Sequence, residues 1–345
     1  MKLGLQLGYW HASPPEGVGS LVAAAEALGF DTVFAAESWG SDAFGPLAWW
    51  GSATSRIKLG TAIAQIAART PASTAMHALT LDHLSGGRMV LGLGVSGPQV
   101  VEGWYGQPFA KPLARTREYV GVVRQVLARA APVTSPGPHY PLPYRGEGSL
   151  GLGKSLRPIT HPRRADLPIL LGAEGPKNVA LAAEIADGWL PIYYSPKAAP
   201  LYRSWLAEGF ARPTARSTAD HFEIAANCSV VVTDDRDGAL DAMRPVLGFY
   251  IGGMGAKEVN FHKDVFARMG YEREADVVQD LFLQGRRDEA IAAVPRQLAA
   301  DISLVGTEAR IRDELAMWED AGVTMLVVGA TSVDDLRRIA AAVLG

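Results

Sequence analysis

A short pattern recurs along this chain: an apolar-striped helix ends at a glycine, and an apolar run follows at once. It reads EALGFDTVFA from residue 26, EIADGWLPI from residue 184 and EDAGVTMLVV from residue 319. Glycine takes the left-handed conformation that closes a helix C-terminus without a side-chain penalty. The helices before it carry the expected stripes: Val18, Leu21, Val22, Ala25 and Leu28 in one, Ile311, Leu315 and Trp318 in another. Ser332 with Asp335 three residues on marks the start of a last helix.

Runs that are apolar nearly throughout are buried on both faces, as parallel strands are. Such runs lie near residues 3–7, 32–36, 57–64, 89–95, 169–171, 188–192, 223–232 and 324–328. Eight of them with helices between, in a chain of 345 residues, predict one α/β domain over 1–345. Its fold class is a (β/α)8 TIM barrel. A doubly wound open sheet is the competing arrangement. Two segments break the alternation. Residues 132–168, rich in Pro and Gly, read as an insertion after the fourth strand, with room for a small hairpin. Residues 250–305, mostly helical and led by GGMG, read as an insertion after the seventh strand that caps the C-terminal mouth.

Composition narrows the function classes. Hydrophobic residues are 48% and charged residues 20%, enough for a large core and far from a disordered chain. A net charge of −3 without a basic run gives nucleic acid no footing. The one cysteine, Cys228, rules out an internal disulfide and sits in the apolar run IAANCSVVV, where a buried inert thiol fits a reducing cytoplasm. The N-terminus lacks a secretory pattern and no run is long enough to span a membrane, so a soluble cytoplasmic protein is expected. The seven histidines form no metal-ligand spacing, and there is no GxSxG elbow.

In a barrel, ligand chemistry sits in the loops after the strand C-termini. After the second strand stand Glu37, Ser38 and Trp39, a carboxylate and an aromatic wall, or else a surface glutamate with a neighbouring cation. After the third, Arg69 precedes a helix that opens at Thr70–Pro71. It is open to an anionic ligand or to solvent. After the fourth, GLGVSGPQ brings three glycines that allow close backbone approach to a flat or bulky neighbour. After the fifth, GAEGPKN opens a helix whose exposed amides suit a phosphate, with Lys177 adding charge. An ordinary βα turn is the plainer reading of that segment.

Several segments together resemble the luciferase-like flavin and F420-dependent oxidoreductases. They are AEALGFDTVFAAESWGSDAF, KLGTAIAQIAARTP, TLDHLSGGRMVLGLGVSGPQVVEGWYG, KPLARTREYV, PILLGAEGPKNVALAAEIADGWLP and GTEARIRDELAMWEDAGVTMLVVG. The resemblance implies a barrel holding a flat tricyclic ring at its strand ends. It implies a non-proline cis peptide at Ala62–Ile63 behind the ring, with Trp39, Thr61 and Gln65 also on the cofactor. It implies ring-edge contacts at Val95, Ser96 and Gly97, and a phosphate at Gly172, Ala173, Glu174 and Gly175 with Tyr194 and Ser195 beside it. Departures are equally informative. Glu37-Ser38 stands where related sugar-phosphate dehydrogenases carry Asp-His, and Gly97 replaces their glutamate. Gln6 stands where methylenetetrahydromethanopterin reductases carry glutamate.

The expectation is therefore an oxidoreductase that uses coenzyme F420 and acts on a small-molecule substrate, with no nucleic acid and no membrane as partner, as a homodimer. Glu37, Ser38 and Gln6 are the catalytic candidates, Glu37 for proton transfer or orientation. The alternatives are an FMN-dependent monooxygenase on the same fold and a barrel that serves as a non-catalytic subunit.

Overall fold

The computed structural model describes residues 1–255, 257 and 260–345. Its strands are β1 (Lys2–Gln6), β2 (Thr32–Ala35), β3 (Lys58–Thr61), β4 (Ala64–Gln65), β5 (Met89–Gly94), β6 (Ile169–Gly172), β7 (Gly188–Leu190), β8 (Glu223–Asn227), β9 (Ser229–Val232), β10 (Ser303–Gly306) and β11 (Met325–Val328). A parallel barrel closes in the order β1-β2-β3-β5-β6-β7-β8-β11, and β11 returns to β1 with Leu3 opposite Leu326. The open-sheet alternative falls away.

Two runs read as single strands are each broken. The run over 57–64 ends as β3 at Thr61, passes through a cis Ala62–Ile63 peptide, and resumes as β4 against β5. The run over 223–232 divides at Cys228. Its first half stays in the barrel, and its second half pairs in parallel with β10. β10 itself begins inside the segment read as helical insertion. Four residues directly behind a helix carry too little periodicity to announce a strand.

The helix–glycine–strand pattern has two physical origins. Gly29 (φ 85°) and Gly322 (φ 96°) close their helices in the left-handed region. Gly188 does not. A Cβ there would meet the Leu170 side chain at 2.5 Å and the Glu223 carbonyl at 2.6 Å, so this glycine serves close strand packing.

Core residues fall into three clusters. The barrel interior is filled by Phe34, Val90, Leu170, Leu190, Ala225, Met325 and Val327, with Ala62 and Ile63 packed on top. A larger cluster lies between the strands and the surrounding helices. The third belongs to a helical cap. Helix Arg236–Gly252 joins Phe261–Phe266, Glu272–Leu283, Arg287–Ala293 and Arg296–Asp301 around Leu240, Leu247, Phe266, Val278 and Leu298. The cap thus begins at Arg236, earlier than the 250–305 boundary suggests. Residues 132–168 hold no helix or strand, only an isolated antiparallel bridge between Ser135 and Leu142.

Polar groups brace the barrel exterior. Glu184, almost fully buried on helix Pro176–Ile185, takes both Arg117 amino groups at 2.6 and 2.5 Å and is also held by Arg212 and Thr214. These bonds, Arg117 first, overcome the cost of burial and hold its carboxyl down at about 2. A depressed carboxyl stabilises the fold above its ordinary range near 4.5, and that stability fades as pH falls toward 2. Arg117 is half exposed, so solvent screens part of the effect. Glu184→Gln is expected to lose about 1–2 kcal/mol at neutral pH. The gap to wild type should close progressively between pH 4.5 and 2, read by denaturant melts across that window.

Candidate active site

A cavity of about 1160 Å³ opens over the C-terminal ends of the barrel strands, roofed by the cap. Its floor is apolar. Ala62 and Ile63 sit above the barrel interior, and Gly94 and Gly172 leave room for Ile63: a Cβ would come within 2.8 and 3.2 Å of its side chain. Gly92 answers a tighter demand, since a Cβ there would lie 1.9 Å from the Thr61 carbonyl oxygen. Gly92 and Gly94, within β5, therefore make space first for the chain's own third strand and the residue that follows it.

Most residues singled out in the sequence meet in this cavity. Gln6, Glu37, Ser38, Trp39, Ala62, Ile63, Gln65, Val95, Ser96, Gly97 and Gly172 to Gly175 all line it. Three do not. Thr61 is fully buried, its Oγ1 donating to the Gly92 carbonyl at 2.7 Å and accepting the Gly92 N–H at 2.9 Å, which ties β3 to β5. Tyr194 packs on Trp189, Tyr202 and Trp318, and its hydroxyl donates to the Ala321 carbonyl at 2.7 Å. Ser195 is buried at the start of the turn that follows, so both lie outside the cavity lining. The lining residue next to them is Tyr193. A side chain's facing after a short strand shifts with one residue of register, which explains the miss.

Glu37 is held more tightly than a proton carrier needs. Arg69 grips it with two bonds of 2.9 and 2.5 Å, the Gln65 amide donates to it at 2.8 Å, and the Gln65 side chain donates to the Glu37 carbonyl at 3.0 Å. Glu37 is buried and Arg69 only partly exposed, so the guanidinium is committed to Glu37 rather than left open. This clamp fixes the loop after β2 against β4. Gln6 donates from Nε2 to the Ala62 carbonyl at 3.3 Å, while its Oε1 is buried with no partner. Gln65 Oε1 is also buried and unpartnered.

The roof brings residues that no motif announced. Tyr9 follows β1, Tyr193 follows β7, and Tyr250 and His262 come from the cap. Tyr193 and Tyr250 meet edge to face at 5.5 Å, and Tyr250 meets His262 at 5.0 Å. Burial pushes the Tyr193 hydroxyl well above its ordinary range and Tyr250 to about 12, so both remain hydrogen-bond donors at neutral pH. Only their position in the cap and loops, not spacing, brings them together.

A closed barrel with a cofactor-sized cavity at its strand C-termini defines the class of (β/α)8 ligand-binding enzymes. The family model for luciferase-like monooxygenases matches residues 5–325, and the chain belongs to that family. A Mycobacterium tuberculosis protein named "putative coenzyme F420-dependent oxidoreductase" is 64% identical over 99% of both chains. A 5,10-methylenetetrahydromethanopterin reductase of Archaeoglobus fulgidus is 29% identical over 91% of this chain and 89% of its own. The solved coenzyme F420-dependent tetrahydromethanopterin reductase of Methanopyrus kandleri superposes with a TM-score of 0.80, at 24% identity, over 99% of this chain and 98% of that one.

Arg69→Ala leaves the Glu37 carboxylate buried without its partner and is expected to cost about 3 kcal/mol of stability. Arg69→Lys keeps the charge but loses the two-pronged fork and should fall between. Denaturant unfolding measures both, and an unchanged midpoint for Arg69→Ala would rule out the clamp.

Proposed function

We propose that this chain is a coenzyme F420-dependent oxidoreductase acting on a small organic substrate. The single observation that carries the reading is 64% identity, over 99% of the chain, to a protein bearing that activity in its name. When bound, the deazaflavin supplies or accepts a hydride at its C5 carbon. The chain's own residues suit such a ring. Ala62 and Ile63 give an apolar floor, and the unpartnered Gln6 and Gln65 oxygens await donors. The amides of Gly172 to Gly175 and Lys177, at the opening of helix Pro176–Ile185, suit the coenzyme's phosphate.

The residues around the substrate have definable tasks. Tyr193 and Tyr250, protonated across neutral pH, donate hydrogen bonds to a substrate oxygen. By roofing the cavity the cap limits the access of water to those bonds. Glu37 serves by orientation: with Arg69 it fixes the Ser38–Trp39 wall. We read the whole of 1–345 as one barrel domain, working as a homodimer in the cytoplasm, where the buried Cys228 thiol, its pKa raised by burial, is inert.

The family's description as monooxygenases favours a second reading, FMN with oxygen. Absorbance and fluorescence titration of the purified protein separates the two. F420 should bind at least about tenfold more tightly than FMN, a difference of about 1.4 kcal/mol. Tight FMN binding with weak F420 binding would overturn the first reading, and failure to bind either would favour a non-catalytic barrel. A screen of ketones, secondary alcohols and activated alkenes, followed at the deazaflavin absorbance, then defines the substrate.

A further inference from the structure

The charges lining the cavity nearly cancel. Among the described residues they are Glu37, Glu174, Lys177, His262, Asp264 and Arg268. Glu37 is neutralised from outside by Arg69. Arg268 reaches Asp264 at 3.4 Å. Glu174 stands in the loop before helix Pro176–Ile185, three residues from Lys177. Its Oε1 lies 2.9 Å from His262 Nδ1, out of line for a hydrogen bond, and its Oε2 is buried with no partner. Arg268 is thus offset by Asp264, Glu174 faces His262, and Lys177, exposed at the helix opening, is the cation on this wall that no carboxylate of the described residues pairs.

Such a wall compensates one negative charge on a seated ligand, not two. We propose that Glu174 sets cofactor choice here, favouring a ligand joined through a phosphodiester over one that ends in a phosphomonoester. The inference rests on the reading of the site as a deazaflavin pocket. Coenzyme F420 carries a phosphodiester, a single negative charge, between its ribityl chain and its tail. FMN ends in a phosphomonoester, which holds about 1.5 to 2 negative charges near neutral pH. Either phosphate, if seated on the amides beside residue 174, would meet the carboxylate there, which opposes the second charge. Selectivity then comes from a repulsive element rather than from an added contact. Each added negative charge close to that carboxylate, in a half-solvated site, lowers affinity by about tenfold. Lys177, at the helix opening, tempers the penalty for the first charge.

The test is titration of the full-length protein and its variants with F420 and with FMN, at low salt so that screening does not mask the effect. Glu174→Gln should tighten both cofactors, FMN by about three- to tenfold more than F420, narrowing the ratio of the two dissociation constants. Lys177→Gln, which removes a positive charge on the same wall, should move the ratio the other way. It also keeps the test open if the first variant disturbs its loop. An unchanged ratio in Glu174→Gln, or equal tightening of both cofactors, overturns the inference while leaving F420 binding intact. A wild-type protein that does not bind F420 refutes the underlying reading instead.

Discussion

Closure of the barrel seam between β3 and β5 is the constraint on which the rest depends. Thr61 bonds Gly92 through its hydroxyl in both directions, and its carbonyl occupies the space where any side chain at position 92 would stand. With that seam fixed, the third strand stops at Thr61, and Ala62 and Ile63 come to lie over the barrel interior as the cavity floor. A single side-chain hydroxyl and a missing Cβ thus bring a strand end and a binding surface into register.

From that floor outward, the two cavity glutamates differ in kind. Glu37 spends its oxygens on Arg69 and on the Gln65 amide, which makes it architecture. Glu174 keeps one oxygen unspent and faces an imidazole across 2.9 Å. Both carboxylates sit in the same cavity lining, Glu37 buried and Glu174 partly so, but burial does not say what each oxygen is committed to. The count of satisfied lone pairs does.

The sequence made the barrel legible where residues act locally. The left-handed glycines at 29 and 322, the Thr70 cap with Pro71 behind it, and the apolar runs are properties of a few neighbouring residues. The stop at Ala62–Ile63 was legible only through the family resemblance, and the break at Cys228 not at all, since apolar residues continue across both. The same holds within the site. Loop residues after strand ends could be placed from the order of elements, so Gln6, Glu37 and the 172–175 loop fell into the cavity. Tyr193 was displaced by its neighbour Tyr194 because nothing in YYS reveals which ring turns inward. Tyr250 and His262 depend on how the cap folds back, which only tertiary packing determines.

The cap has a hydrophobic cluster of its own, built around Leu240, Leu247, Phe266, Val278 and Leu298 and distinct from the cluster that packs helices on the barrel. Two foundations hold up one chamber. Amino-acid changes on the cap's inner face can therefore accumulate over generations while the ring-bearing floor stays fixed. A lineage with this layout can trade one substrate for another by drift in a single helical unit, keeping its redox chemistry throughout.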